Sequence, residues 1–495
     1  MIERQLVPKS NKNTLARRRY GVVGGLGAVA GADLLLKMIR ATQRSEGMPA
    51  ADIAFEQRHF EDGPAIGERT YDPTRRKFYV YNALRDMEAR GIDIALVPCF
   101  LSHTFLREIT PEIDMRVIGM FDALLDRVER EHAAVRTIGV LTSTYVQQSG
   151  IFERAFAGRV RIVYPDPQVQ SERLMAAIYG SSGVRAGHHG AECVDALVEV
   201  CAHLVAKGAE IIVPGMTEVP ILIDLLRPRV AVPLIDSNLV YAEYAMAAET
   251  ERPVREFKLG VVGGVGPAAT VDFMHKVVAL TRAARDQDHI KMVVEQNPQI
   301  PDRTANLIGT GEDPTIALLA TCRRLEADGA SAIAIPCNTA HAYVDRIQPY
   351  LGIPIVNMLF EVVQHIRSQL PEVSRVGLLA TSGTVASGVY HEIVESAGLA
   401  LLVPDPENQR QVMEAIYGSE GVKAGFVAGT CAEHLAAAIA HLTENGAQAI
   451  ILGCTELPLI RIEAAVQQAV VLLDPTAILA ARCVGLARSG QLAPS

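Results

Sequence analysis

Two cysteines sit where a thiol can do chemistry. PCNTAH runs from Pro336 to His341, and LGCTELP runs from Leu452 to Pro458. Each cysteine ends an apolar run, Ala332–Pro336 before Cys337 and Ala449–Gly453 before Cys454, and each is followed by a small polar residue and a helical pattern. This arrangement presents a thiol at the carboxyl end of a buried parallel strand, where open α/β sheets keep their ligand crevices. Two thiols from separate strand ends can face each other across one small substrate. Proton transfer at carbon by two opposed bases needs that geometry.

Other polar groups are candidates to hold the substrate. GVVGGVGPAAT (Gly260–Thr270) reads as a strand, a glycine turn and a helix start. Free N–H groups at such a start suit a carboxylate or phosphate. Gly264, with Pro267 and Thr270 in the first helical turn, favours anion binding over a turn that only packs the helix on the sheet. The string is not GxGxxG and no acidic residue closes a second strand about 20 residues on, so no dinucleotide is expected. NPQIPDRT (Asn297–Thr304) is a proline-broken loop carrying Arg303. A loop arginine is ordinarily a solvated charge, but this one follows a strand on the cysteine side, and a guanidinium grips a carboxylate in bidentate fashion. Lys423 in GVKAG is either a second cation of the site or a helix-surface lysine. His341, one turn after Cys337, is open between a core or capping histidine and one that tunes the thiol. Cys193, Cys201, Cys322, Cys431 and Cys483 lie in helical patterns and read as buried structural thiols. Cys431 and His434 share a helix face, but without a second such pair no metal site is expected.

The elements that position these residues occur twice. YGVVGGLGAVAGADLLLKMIRAT (Tyr20–Thr42) returns as LGVVGGVGPAATVDFMHKVVALT (Leu259–Thr281), an offset of 263 − 24 = 239. VPCFLSHTF (Val97–Phe105) returns as IPCNTAHAY (Ile335–Tyr343), an offset of 337 − 99 = 238. YGSSGVRAG (Tyr179–Gly187) returns as YGSEGVKAG (Tyr417–Gly425), and VPGMTEVP (Val213–Pro220) returns as LGCTELP with Met216 in the place of Cys454. The spacing predicts a basic tail over 1–19, a unit over 20–248, a linker over 249–258 and a second unit over 259–487. In the second unit, strand-like runs at Leu259–Gly263, Lys291–Gln296, Ala332–Pro336, Arg375–Ala380 and Ala449–Leu452 alternate with helical patterns such as Asp313–Asp328 and Glu361–Leu370. That alternation predicts βαβ units and a mostly parallel sheet, and a break near Asn357 divides the unit into two lobes.

Composition excludes several partners. The chain has 495 residues, 49% of them hydrophobic, no tryptophan and a net charge of −9 with both signs mixed along its length. An aliphatic α/β interior follows, and neither nucleic acid nor membrane surface is expected to bind. Lys9, Lys12 and Arg17–Arg19 form a short basic run that reads as a solvated tail rather than a transit peptide. No apolar run approaches the ~20 residues of a membrane span, and eight cysteines without a secretory signal point to reduced thiols in the cytoplasm.

In the order GGVGPAAT, NPQIPDRT, PCNTAH, GVKAG and GCTELP, the second unit resembles the aspartate/glutamate racemase superfamily, in its aspartate-racemase type, from Leu259 to about Asp474. The resemblance implies two tandem racemase-like units, each of two flavodoxin-like parallel-sheet lobes related by pseudo-two-fold symmetry. It implies chemistry without pyridoxal phosphate, metal or other cofactor, with one cysteine from each lobe acting on opposite faces of a small acidic amino acid. Carried over, Cys337 and Cys454 become the acid/base pair. Asn338, Thr339 and Thr455 would bind the α-carboxylate or amino group, and Arg303 and Lys423 the side-chain carboxylate. Pairing of family members as dimers implies an intramolecular pseudo-dimer or a homo-oligomer. The first unit departs at the chemistry: Cys99 remains, but Met216, Phe100, Leu101, Ala28 and Gly31 replace Cys454, Asn338, Thr339, Pro267 and Thr270, and Arg185 replaces Lys423. The segment Arg58–Thr70 replaces the NPQIPDRT loop, with Arg69 a possible match to Arg303. A methionine carries no proton, so this unit is expected to be structural or regulatory, or to use Cys99 alone on a less polar substrate. Readings kept open are a dicarboxylate cis–trans isomerase with a thiol nucleophile, a decarboxylase of the same superfamily, and a ligand-binding sensor.

Overall fold

The apolar runs that end in cysteine form inner strands of parallel sheets. The structure, a computed structural model, describes residues 18–44, 51–61, 70–248, 256–464 and 469–489. The chain divides into two compact units, Met1–Arg255 and Glu256–Ser495. The basic tail up to Arg17, Arg69 and most of the expected linker lie outside the described residues. Lys258, expected at the linker's end, is the first residue of a strand.

In the first unit, strands β1 (Arg18–Val23), β2 (Ala51–Glu56), β3 (Ile94–Leu96) and β4 (Arg116–Ile118) form a sheet in the order β2-β1-β3-β4. Strands β5 (Thr137–Thr142), β6 (Arg161–Val163) and β7 (Ile211–Gly215) form a second, in the order β6-β5-β7. In the second unit, β8 (Lys258–Gly263), β9 (Lys291–Gln296), β10 (Ala332–Ala334) and β11 (Ile355–Val356) give the order β11-β10-β8-β9. Strands β12 (Arg375–Leu379), β13 (Ala400–Leu402), β14 (Ala449–Leu452) and β15 (Val471–Leu473) give the order β13-β12-β14-β15. Every ladder is parallel. Parallel strands need helical crossovers that cover both faces, which accounts for the continuous apolar runs. β15 pairs with β14 over three residues, whereas its counterpart in the first unit is a single bridge, Ile212 to Leu234.

The two lobes of each unit are tied by the same device. In the first unit Lys37 bridges Asp33 and Asp236, at 2.7 and 2.8 Å. In the second, Lys276 bridges Asp272 and Asp474, the latter at 2.6 Å. Asp236 also accepts the Leu239 N–H ahead of helix Ser237–Ala247, and Asp474 accepts that of Thr476 at the start of helix Pro475–Ser489. The chain's return helix in each unit is thereby pinned to the helix that follows the glycine turn. Asn357, the expected lobe break, caps helix Met358–Gln369 by accepting the N–H groups of Leu359 and Phe360.

Candidate active site

In the second unit the cysteines follow β10 and β14, inner strands of different sheets, and both line one cavity. Each is 7% exposed. Of the candidates named above, Arg303, Asn338, Thr339, Lys423 and Thr455 line the same cavity.

The glycine turn differs from expectation. Gly264, Pro267 and Thr270 are absent from the lining, where Val265 represents the turn. Thr270 Oγ1 accepts the Gly264 N–H and donates to the Gly266 carbonyl, so its hydroxyl is consumed inside the turn. Pro267 is exposed. Gly264 has φ +84°, and a Cβ there would fall 2.3 Å from the Asn297 carbonyl carbon. The glycines serve a close passage of chain.

Asn338 is held from one side only. Tyr390 Oη donates to Asn338 Oδ1 at 2.6 Å. Asn338 Nδ2 and Arg303 Nε are buried and have no partner among the described residues. Arg303 Nη1 donates to the carbonyls of Ile300 and Pro301 at 3.1 and 3.0 Å, which fixes the guanidinium in the loop. Thr339 Oγ1 meets Thr384 Oγ1 at 2.7 Å, Thr384 meets Thr381 at 3.1 Å, and Thr304 donates to Thr381 at 3.0 Å. This chain of hydroxyls crosses between the lobes. Gly383 makes it possible, since a Cβ there would fall 2.7 Å from Thr304 Cα.

Glu456 is the site's main surprise. It is 4% exposed, accepts from Cys454 Sγ at 3.2 Å and from Thr455 Oγ1 at 3.3 Å, and pairs with Lys423 Nζ at 2.5 Å. Lys423 lines the cavity although the residue is exposed, and it carries its own counter-charge in Glu456. Burial opposes its charge, but Glu456 and Cys454 outweigh that and raise its pKa above the ordinary value. Burial, then the charge of Glu456, push the Cys454 thiol well above the usual thiol range, with Lys423 opposing. Burial and Glu456 thus favour the protonated form of Cys454. The sequence signal for Glu456 was its recurrence as Glu218 in VPGMTEVP.

His341 resolves as a structural clasp. Its Nε2 accepts the Met358 N–H at 3.0 Å, so Nδ1 carries the proton and donates to the Cys337 carbonyl at 2.9 Å. Burial lowers its pKa to about 4. His103 repeats the clasp, with Nε2 accepting from Met120 and Nδ1 facing the Cys99 carbonyl at 2.8 Å. The five other cysteines are buried in helices. Among the described residues no group of three His, Cys, Asp or Glu is placed to hold a metal, and no helix is long and apolar enough to cross a membrane.

The first unit has a cavity in the corresponding place. Cys99, Met216, Arg185 and Glu218 line it. Phe100, Leu101, Val146 and Phe152 stand at the positions of Asn338, Thr339, Thr384 and Tyr390. The polar pair Asn338–Tyr390 has become a stacked pair, Phe100 on Phe152 at 5.8 Å between centroids. Arg76 also lines this cavity; it is 1% exposed and donates from Nη1 to Cys99 Sγ at 2.9 Å. It stands two residues after an Asp-Pro-Thr shared by Asp72–Thr74 and Asp313–Thr315, at the position of Ala317.

The family model described as Asp/Glu/Hydantoin racemase matches the chain twice, over 23–245 and 262–483. A broad specificity amino-acid racemase, RacX, of Bacillus subtilis is 28% identical over 166 residues, 32% of this chain and 70% of that protein. A glutamate racemase of Corynebacterium kroppenstedtii is 29% identical over 138 residues, 28% of this chain and 45% of that protein. The chain spans about half the length of the glutamate racemases it matches. The solved Picrophilus torridus aspartate racemase is 30% identical, with a TM-score of 0.41, covering 47% of this chain and 94% of its own. With most of each unit matched, the chain belongs to the Asp/Glu/Hydantoin racemase family.

Proposed function

We propose that the protein is a cofactor-independent amino-acid racemase with its working site in the second unit, acting on a small acidic amino acid, aspartate before glutamate. The observation that carries this reading is that Cys337 and Cys454, on inner-strand ends of different lobes, line one cavity. The thiol of Cys454, held protonated by burial and by Glu456, is the proton donor for one enantiomer. Cys337 takes the α-proton from the opposite face. For the other enantiomer the roles exchange, and Cys454 must first lose its proton. Removing the α-proton builds enolate-like charge on the substrate carboxylate, where fixed donors stabilise the transition state most. Asn338 Nδ2, buried and unpartnered, is such a donor, with Thr339 and Thr455 beside it. Arg303 and Lys423 supply positive charge for the side-chain carboxylate. Aspartate is placed before glutamate because the arginine-bearing loop Asn297–Thr304 and the glycine-rich turn resemble those of aspartate racemases more closely than those of glutamate racemases. The first unit, without a second thiol, is not expected to racemise anything.

The test is proton NMR of L- and D-aspartate with purified protein in D2O. Loss of the α-proton signal from both enantiomers without a new compound is expected. A new carbon skeleton or a covalent thiol adduct would instead favour isomerase or decarboxylase chemistry, and binding without exchange would favour a sensor.

A further inference from the structure

We propose that Tyr390 is a positioning residue of the second unit's site: its hydroxyl turns the Asn338 amide so that Nδ2, not Oδ1, meets the substrate carboxylate. This role rests on the racemase function proposed above. The backbone of Asn338 is already fixed, since its carbonyl accepts the His341 N–H at 3.0 Å. What stays free is the terminal torsion of the amide, which is broad and roughly two-fold. One setting offers a developing enolate a donor, and the other offers it a repelling oxygen. Tyr390 decides between them. It is fully buried in helix Val389–Ser396 and absent from the cavity lining, so it acts through Asn338 and not on the substrate. Burial raises its pKa and keeps the phenol protonated. A buried O–H needs an acceptor, and Asn338 Oδ1 at 2.6 Å takes it. Reversing the amide would set Nδ2 against the phenol oxygen and deprive the buried proton of that acceptor.

The first unit shows what the hydroxyl is for. Phe152 stands at the position of Tyr390 and is equally buried, so packing there requires the ring and not the oxygen. The hydroxyl is missing in the unit where the amide is missing too, with Phe100 in place of Asn338. In the second unit Tyr390 belongs to a segment that holds three cavity-lining residues of the other lobe. Thr381 and Thr384 engage the hydroxyls of Thr304 and Thr339, at 3.0 and 2.7 Å, while Tyr390 engages Asn338. A threonine hydroxyl rotates to suit its neighbours, whereas the two ends of an amide differ in kind. Of the three contacts, that of Tyr390 alone fixes which group faces the cavity.

The test is a double-mutant cycle on the full chain, read by a chiral assay of aspartate racemisation. Tyr390→Phe is expected to lower kcat about tenfold and to change KM by less than about twofold, because the oriented donor matters most in the transition state. The fold is expected to survive, as Phe152 occupies the equivalent place, and circular dichroism checks that. In the Asn338→Ala background the same change is expected to alter kcat by less than about twofold, since no amide is left to orient. Equal losses in both backgrounds would make Tyr390 a structural group only and overturn the proposal. So would an unchanged kcat in folded Tyr390→Phe. Failure of the unaltered protein to racemise aspartate or glutamate would overturn the racemase function and this role with it.

Discussion

The two units are the same framework carrying opposite cavity chemistry. Both keep the parallel sheets, the lysine bridge between lobes, the histidine clasp on the cysteine carbonyl and the buried glutamate after the second strand end. At the cavity the difference lies in a few side chains. The second unit has two thiols and a hydroxyl chain; the first has one thiol, a buried arginine and an apolar wall. Fold and chemistry have been separated by substitution, because strands and clasps are set by burial and backbone bonding while the cavity wall is set by individual side chains.

The sharpest way to break the comparison is to move residues between the units. Cys454→Met gives the second unit the first unit's residue and is expected to lower racemisation by about a thousandfold, the scale of a lost acid/base group. A chiral assay of aspartate reads this directly. Next in size, Asn338→Phe with Tyr390→Phe imports the stacked aromatic pair. It is expected to cost about a hundredfold in kcat/KM, the scale of losing a donor to the developing charge. The melting temperature should move little, because the first unit already accommodates that pair. Retained activity in the double variant would remove Asn338 from the account.

Glu456→Gln is a subtler change. With the negative charge gone, the Cys454 pKa falls. The pH profile for the enantiomer that needs Cys454 as base is expected to move down by about one unit. The opposite direction is expected to slow at high pH, where Cys454 loses the proton it must donate. An unshifted profile would mean that Glu456 only seats Lys423.

The smallest difference between the units is expected from the histidine clasps. His103 and His341 are each lowered from 6.5 to about 4 by burial. The unfolded chain then binds protons that the folded one does not, so stability is complete above pH 6.5 and is lost as pH falls towards 4. Each histidine contributes on the order of 3 kcal/mol to that loss. Denaturant titrations at several pH values should show His103→Gln and His341→Gln flattening the profile to a similar degree.

Much of this was legible in the chain. The repeat anchors and apolar runs located the inner strands to within a residue or two, since these are buried on both faces and carry no alternation. The edge strands β11, β13 and β15, of two or three residues, were not legible because they are too short for any period to register. Cys337 and Cys454 were legible from their strand-end context. Glu456 went unremarked although Glu218 repeats it, because a buried carboxylate beside a thiol looks like any polar loop residue until the lobes close around it. Arg76 gave no signal either, since its distance from Cys99 in the chain hides the contact. Thr270 misled because its hydroxyl suits an anion and an internal turn bond equally well.

The most direct test of the account is α-proton exchange of both aspartate enantiomers in D2O, measured for Cys337→Ala and for Cys99→Ala in the full chain. The account predicts that Cys337→Ala stops exchange from at least one enantiomer and abolishes racemisation, while Cys99→Ala exchanges both as the unaltered protein does. Loss of exchange in folded Cys99→Ala, with Cys337→Ala still racemising, would contradict it and move the chemistry to the first unit.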